Sequence, residues 1–550
     1  MKIQKLFTHE LWWCILVASV LLFLSYGPII QNYLTAPPDK FYFGQLEYPI
    51  DMLGDLAYVQ QGYQGNLLAS FNYSTMIGGH PSILKMEYTI VGLLGQLLNL
   101  SPIVMFMVSR FAISLLLLMV IYFLIRQVFT ELWQRIVSYI FVLFGTGMSV
   151  PGVLNRIVTS GMYDAQVFQR LTQAMPHYVL GAGSVLLSLF FLSRTLEKPQ
   201  RTGGFLLSLL FGIAASLLYA INSVLLISGF PLYIVFDSIS VYLRTKRVRI
   251  DMEKVGILFA YAVVTLAPVA YVHHVTTSMW NDIRTARLEQ LNPFRVTTTE
   301  YVVAVGVLYL LAIFSIPAVI RKGKPILMVL ATWLVMHPVG EFIISPILHI
   351  NAIRYFLTPY YVAFGILATS GVIILSDWFK KRMRNIPQWI ITSVLSIALF
   401  STSIGTYTTV WKGEHVCFCF EQFFDYAYPK KTVMDGIFWL QRNTKPSDVV
   451  LSGYYAGTLI AAFSGNHPYV TWWYRLIEPP TIQNTERSLA AFYSGSMPEK
   501  YALTFLTQQR ISYVFYSEQE QLFAKGKQTL EYSFLTVRYN TGGTLIYQVK

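Results

Sequence analysis

Cysteines and charged residues are scarce in this sequence. Among its 550 residues there are three cysteines, and 13% of the residues are charged. So few cysteines exclude a disulfide framework and a cysteine-rich zinc site. So few charges, set against 54% hydrophobic residues, exclude a secreted soluble enzyme, a disordered scaffold and a collagen-like fibre. No Walker loop, dinucleotide-binding glycine pattern or zincin helix is present, so no apparatus for ATP-driven chemistry is visible.

Long hydrophobic runs dominate what the sequence does contain. Each is about 20 residues long, the length at which a helix crosses a hydrocarbon core of about 30 Å. The candidate spans lie at 11–30, 103–125, 134–151, 176–193, 204–219, 221–243, 254–273, 301–320, 325–344, 355–376 and 387–409. The sequence therefore predicts a mainly α, polytopic helical membrane protein, with about eleven transmembrane helices in residues 1–410.

The tail, residues 411–550, contains no spanning run. Its patterns predict helices near 432–441, 456–463 and 499–509, and strands at 448–452, 511–516, 533–539 and 544–549. We therefore expect a small C-terminal α/β domain.

The basic residues indicate the topology. The formal net charge is +13, but the basic residues are not clustered on one domain, which argues against a nucleic-acid partner. With the N-terminus in the cytoplasm, 19 of the 28 basic residues of residues 1–410 fall in inner loops, in agreement with the positive-inside rule. An odd number of spans then makes the C-terminal domain extracytoplasmic, together with a first outer loop at 31–102 and a second at 152–175. We expect the function to reside there.

The first outer loop carries two acids four residues apart, Asp51 and Asp55, on a predicted helix that leads to Gln61-Gly62. This spacing stacks both carboxylates on one helix face, where like charges destabilise each other unless they are used. Coupling and partial burial would raise one pKa and give a general base, or the pair would hold a divalent cation. The alternative is a solvated first turn, where acids favour the helix dipole.

Three further residues are candidate binding residues of the outer loops. His80 lies in a Gly-Gly-His-Pro turn and is either a ligand or a turn residue. Asp164, in the second outer loop, either contacts substrate or pairs with Arg170. His177 follows a proline at the head of a spanning helix, where it either binds an acceptor or phosphate or caps the helix.

Arg354 lies at the outer mouth of an apolar helix. A guanidinium there suits a bidentate grip on a lipid phosphate, and the alternative is snorkelling to the headgroups. His337 and Glu341 are four residues apart, a spacing that favours a hydrogen-bonded helix pair over a metal site.

The outline resembles the C-type (GT-C) polytopic membrane glycosyltransferases that use polyprenyl-phosphate sugars, among them mannosyl- and arabinosyltransferases. The resemblance rests on the long first outer loop with its acids before Gln61-Gly62, on the second outer loop, and on an extracytoplasmic tail with the runs Val449–Ser452 and Ser464–His467. It implies that Asp51 or Asp55 is catalytic and that Asp164 is the acid of the second loop. It also implies an integral protein of the bacterial plasma membrane.

The resemblance further implies that His177 matches a Pro-His motif of related bacterial proteins and that Arg354 holds the carrier phosphate. The implied reaction moves a sugar, with inversion, from a polyprenyl phosphate to an acceptor hydroxyl of a lipid, glycan or protein at the outer face. Two other functions remain open: a catalytically inactive relative that serves envelope assembly or lipid binding, and a transporter. The clustering of acids in outer loops and the odd number of spans argue against a transporter.

Overall fold

The computed structural model describes residues 9–45, 49–70, 81–145, 176–199, 202–279, 296–348, 350–351, 353–382, 387–401, 424–473, 479–524 and 526–550. Helices make up most of the described chain. In chain order they are α1 His9–Thr35, α2 Pro49–Tyr63, α3 Met86–Leu98, α4 Pro102–Val128, α5 Leu132–Phe144, α6 Pro176–Glu197, α7 Thr202–Leu218, α8 Ala220–Ser228, α9 Phe230–Thr245, α10 Met252–Met279, α11 Thr298–Lys322, α12 Pro325–Val339, α13 Ser345–Leu348, α14 Ile353–Phe356, α15 Tyr360–Arg382, α16 Gln388–Ser401, α17 Phe424–Ala427, α18 Lys431–Asn443, α19 Tyr454–Leu459, α20 Pro479–Tyr493, α21 Glu499–Gln508 and α22 Glu518–Phe523. Two π-helical segments, Gly340–Ile344 and Ile460–Ser464, continue α12 and α19.

Eight helical segments of the described chain are long and apolar enough to cross a membrane. They coincide with eight of the predicted spans, and they make the chain an integral, polytopic membrane protein. The other three predicted spans coincide with shorter helices, α5, α7 and α16, of 13, 17 and 14 residues. The mainly α fold class is thus confirmed, together with the small sheet of the C-terminal region.

The described chain divides into two compact units. The first takes in Met1–Pro28, Arg110–Val272 and Asn292–Cys419. Its core is a helical bundle in which glycines permit close backbone approach: a Cβ added at Gly371 of α15 would lie 2.5 Å from the carbonyl oxygen of Leu311 in α11. Apolar side chains gain nothing by leaving lipid for protein, so such small-residue contacts are a main source of helix association in membranes.

The second unit takes in Ile29–Ser109, His273–Leu291 and Phe420–Lys550. It contains a five-stranded mixed sheet of β1 Val449–Leu451, β2 His467–Pro468, β3 Ile511–Tyr516, β4 Leu535–Thr541 and β5 Thr544–Val549. The strand order is β2-β1-β3-β5-β4. The first two pairings are parallel, and β5 is antiparallel to both β3 and β4.

Helix α2 of the predicted first outer loop packs within this second unit. It lies against the π-helical segment Ile460–Ser464, and the Gln64 side-chain amide donates to the carbonyl oxygen of Gly465 at 3.4 Å. Every residue from Met52 to Gly62 is buried. The helix that carries the predicted acids is therefore fixed by packing along its length rather than solvated.

Candidate active site

The two predicted acids of α2 have different surroundings. The helix begins at Pro49, and Asp51 lies in its first turn, where a carboxylate interacts favourably with the helix dipole. Asp51 is half-buried, whereas Asp55, one turn further on, is only 5% exposed. Burying a carboxylate is costly unless it is paired and hydrogen-bonded. The buried acid therefore requires partners.

Asp55 obtains its partners from the start of α3. The Tyr88 hydroxyl donates to Asp55 Oδ2 at 2.7 Å, and the Lys85 ammonium lies 3.4 Å from Oδ1. Lys85 immediately precedes α3 and has a left-handed backbone, with φ of 69°. That conformation is unfavourable for a residue with a Cβ, by about 1 kcal/mol or more, and persists only where the surrounding structure holds it. Asp55 is thus a fixed, charge-paired carboxylate.

Two glycines allow α2 and α3 to approach closely enough for this contact. A Cβ added at Gly62 would lie 2.0 Å from the carbonyl oxygen of Thr89, and one added at Gly92 would lie 2.0 Å from that of Val59. Either distance is far below van der Waals contact. The backbones touch at this crossing, and the crossing brings Lys85 and Tyr88 to Asp55.

Glu87, in the first turn of α3, is a third acid in this region. Burial raises the pKa of its carboxyl to about 7, while the charge of Lys85 lowers it and that of Asp55 raises it. A carboxyl that titrates near neutrality suits proton transfer. Glu87 is not among the site residues predicted from the sequence, although it lies only two residues after Lys85.

A second polar cluster lies in the first unit, around Arg354. Its guanidinium donates from Nη1 to the Tyr178 hydroxyl at 3.2 Å, and its carbonyl oxygen accepts from the Tyr219 hydroxyl at 2.8 Å. The Tyr178 ring packs edge-on against Tyr219, with centroids 4.9 Å apart, and contacts the buried His177 ring at 4.1 Å. The structure therefore brings two predicted residues, His177 and Arg354, to one place through tyrosines that the sequence did not single out.

Buried polar groups lie close to this cluster. Glu341 is 3% exposed and, within the described residues, neither of its carboxylate oxygens has a hydrogen-bond partner. The side chain of Asn222 and the hydroxyl of Tyr355 are also buried without partners there. A Cβ added at Gly340, which directly precedes Glu341, would lie 2.5 Å from the ring of Tyr355, so the two residues are close together. Such unsatisfied groups are rare and favour a functional interpretation.

The predicted hydrogen-bonded pair of His337 and Glu341 is wrong. His337 Nδ1 lies 2.8 Å from the Tyr301 hydroxyl, and Glu341 belongs to the π-helical segment Gly340–Ile344. The wider π turn changes the side-chain register, so residues four apart no longer share a face. Single π turns occur frequently at functional sites.

The roles assigned to the predicted site residues stay predictions. His80 and Asp164 lie outside the described residues, as does the whole second outer loop. Asp51 and Asp55 belong to the second unit, and His177 and Arg354 to the first. Among the residues that the structure describes, no group of three or more His, Cys, Asp or Glu side chains is arranged to hold a metal ion.

The architecture defines a class: a polytopic helical membrane protein with a small C-terminal α/β sheet domain. No protein-family model and no curated protein matches the sequence. Solved structures do match it along nearly its whole length. The apo oligosaccharyltransferase of Archaeoglobus fulgidus aligns with a TM-score of 0.54 at 13% identity, covering 98% of this chain and 74% of that one.

A second structure of that enzyme, AglB in complex with an inhibitory peptide and a dolichol-phosphate, aligns with a TM-score of 0.51 at 13% identity, covering 99% of this chain and 74% of that one. A third, tethered to an acceptor peptide, gives a TM-score of 0.52 at the same identity, covering 98% and 74%. At this identity the likeness establishes the fold. The chain has the GT-C fold that the resemblance implied.

Proposed function

We propose that the protein is a membrane glycosyltransferase that moves a sugar from a polyprenyl-phosphate carrier to an acceptor hydroxyl at the outer face of a bacterial plasma membrane. The observation that carries the proposal is the half-buried Asp51 one turn before a buried, charge-paired Asp55 on a helix fixed by packing. The GT-C fold supports it. So does the dolichol-phosphate in the AglB complex, a lipid phosphate of the kind proposed as carrier here.

In this mechanism Asp51 is the general base. It takes the proton of the acceptor hydroxyl as the hydroxyl oxygen attacks the anomeric carbon, and the bond from that carbon to the phosphate oxygen breaks with inversion. The carboxylate of Asp55 is occupied by Lys85 and Tyr88, so it positions the helix and adds negative charge near Asp51. A phosphate monoester is a fair leaving group, and the enzyme contributes mainly alignment and one proton transfer.

A divalent cation fits this site only in part. Asp51 and Asp55 would be its ligands, but the Lys85 ammonium 3.4 Å from Asp55 would compete with it. A bound cation would supply charge stabilisation for phosphate oxygens. The proton transfer assigned to Asp51 needs no such ion.

Arg354 is proposed to hold the carrier phosphate. Its guanidinium is half-buried, and its contacts with Tyr178 and Tyr219 orient it before any ligand arrives. A planar guanidinium grips a phosphate with two parallel hydrogen bonds, which an ammonium cannot reproduce. The buried polar groups of Glu341, Asn222 and Tyr355 are hydrogen-bonding groups of the kind that bind sugar hydroxyls.

The test is carrier binding, measured by native mass spectrometry of the purified protein with added undecaprenyl phosphate. We expect Arg354→Lys to bind about tenfold more weakly and Arg354→Ala more weakly still. Arg382→Gln, at the end of α15, is the control that should bind like the wild type. Unchanged binding in both Arg354 variants would assign this residue to headgroup snorkelling. Carrier binding without sugar transfer would favour the non-catalytic, lipid-binding alternative.

A further inference from the structure

A groove in the first unit lies between the C-terminal halves of α4 and α6. Its volume is about 360 Å³, within the range of small-molecule sites. Apolar side chains form most of its wall: Val120, Phe123, Leu187 and Phe190. Phe123 is 45% exposed, on a helix whose length and composition make it a membrane span. The groove therefore opens toward the surface that meets lipid.

Two arginines lie at one end of the groove. Arg126 lies in the last turn of α4 and Arg194 in the last turn of α6, and both are exposed. The Arg194 guanidinium stacks on Phe190 with its carbon 4.3 Å from the ring centroid, which limits the conformations it adopts. Neither arginine has a carboxylate within salt-bridge distance in the described part of the chain. Arg126 interacts electrostatically with Glu10, but the Glu10 carboxylate forms its ion pair with Arg135, at 2.7 Å.

Gln127 adds a hydrogen-bonding group to the same end. Its side-chain nitrogen donates to Ser193 Oγ at 3.3 Å. Its side-chain oxygen is buried and, among the described residues, accepts no hydrogen bond. Two cationic groups, one unsatisfied acceptor and an apolar wall thus converge on one groove.

We propose that this groove binds an anionic phospholipid with a hydroxylated headgroup, of the phosphatidylglycerol type. Its phosphate lies between the two guanidiniums, and an acyl chain covers the apolar wall. The amide of Gln127 turns its oxygen toward the groove, where a headgroup hydroxyl donates to it. Basic pockets between spanning helices are suited to anionic headgroups. A polyprenyl phosphate has no alcohol group in its headgroup to donate to Gln127. The proposal does not rest on the proposed glycosyltransferase activity.

The experiment is native mass spectrometry of the full-length protein in neutral detergent, titrated with phosphatidylglycerol, phosphatidylcholine or undecaprenyl phosphate. We expect phosphatidylglycerol to bind most tightly. Each of Arg126→Gln and Arg194→Gln should weaken its binding about tenfold, and the double variant should lose the preference over phosphatidylcholine. A further titration with phosphatidic acid, which lacks the glycerol headgroup, tests Gln127: Gln127→Leu should reduce the preference for phosphatidylglycerol over phosphatidic acid.

Arg382→Gln is the matched control, because Arg382 also ends a spanning helix and stacks on an aromatic ring, Trp378, at 4.2 Å. It should leave phosphatidylglycerol binding unchanged. Thermal unfolding in neutral detergent checks that the double variant is folded, and a misfolded double variant leaves the single variants to decide. Unchanged phosphatidylglycerol binding in the Arg126 and Arg194 variants overturns the proposal. The proposal is also overturned if the protein prefers undecaprenyl phosphate and these variants weaken that binding, because the groove would then be a carrier site.

Discussion

Removing the ammonium of Lys85 should destabilise the second unit through the charge left on Asp55. Lys85→Met keeps most of the side-chain stem and deletes the charge 3.4 Å from Asp55 Oδ1. Breaking a fully buried ion pair costs about 3–5 kcal/mol. The Asp55 side chain is 7% exposed, but that of Lys85 is 22% exposed, so solvent screening reduces the expected cost to about 2 kcal/mol.

A double-mutant cycle isolates the interaction free energy between Lys85 and Asp55. In an Asp55→Asn background there is no buried charge, so Lys85→Met should cost little, and the coupling free energy should be about 1–2 kcal/mol. The hydrogen bond from the Tyr88 hydroxyl to Asp55 Oδ2, at 2.7 Å, gives an independent measure of how strongly the buried carboxylate depends on its partners. Tyr88→Phe should cost about 1.5–3 kcal/mol, because the hydrogen bond it removes ends on a charged group.

The assay is the free energy of unfolding in mixed micelles, titrated with denaturing detergent. Lys40 and Asp425 provide a control cycle in the same unit, since their charged atoms lie 3.7 Å apart but the Asp425 side chain is 61% exposed. Exposed pairs couple weakly. A coupling free energy for Lys85 and Asp55 no larger than that of the control pair would refute the assignment of Asp55 as a buried, charge-paired carboxylate.

Two further predictions concern acids of which one, Glu87, is half-buried and the other, Glu341, is buried. The folded-state pKa of Glu87, about 7, lies above its ordinary value of 4.5, so the folded state binds the proton more tightly and stability falls as pH rises from about 4.5 to 7. Glu87→Gln should remove that loss of stability, which is at most about 3 kcal/mol. The difference in free energy of unfolding between this variant and the wild type should therefore change across this pH range, and a constant difference would contradict the account. Glu341→Gln should leave the thermal unfolding temperature unchanged or raise it, because the carboxylate has no hydrogen-bond partner in the described structure. Glu520→Gln is its contrast: that buried carboxylate accepts from Gly453 N at 2.7 Å and Ser517 Oγ at 2.6 Å, so the variant should lose about 1–3 kcal/mol. A larger loss of stability in Glu341→Gln than in Glu520→Gln would contradict the conclusion that the Glu341 carboxylate makes no stabilising hydrogen bond.

The sequence predicted the membrane architecture well because span length is set by bilayer thickness and visible in hydropathy alone. It predicted α18, β3 and β5 for a similar reason, since their amphipathic or apolar patterns are local. Helix α20 was missed: its window Pro479–Tyr493 mixes polar and apolar residues and begins with two prolines. Its burial depends on contacts with distant segments.

The candidate site was predictable only as a set of residues. Asp55 and Lys85 are 30 residues apart, and they meet because two glycines allow two helices to touch. The glycines were the available signal, but their pairing is a tertiary property. Nothing in the sequence marks Tyr178 or Tyr219 as partners of Arg354. Regular helical spacing gives the wrong prediction for His337 and Glu341, because the helix widens to a π turn there.

The most direct test of the proposed function is a transfer assay in proteoliposomes, with polyprenyl-phosphate mannose or arabinose as donor, across pH 5 to 9. We expect the wild type to transfer the sugar and Asp51→Asn to lose about 10² to 10⁴-fold in rate with carrier binding intact. Asp55→Asn should lose less, and Asp39→Asn, which changes an exposed acid of the same loop, should keep full activity. Full activity in Asp51→Asn, in Asp55→Asn and in the double variant would contradict the account, since it would remove this helix from the chemistry.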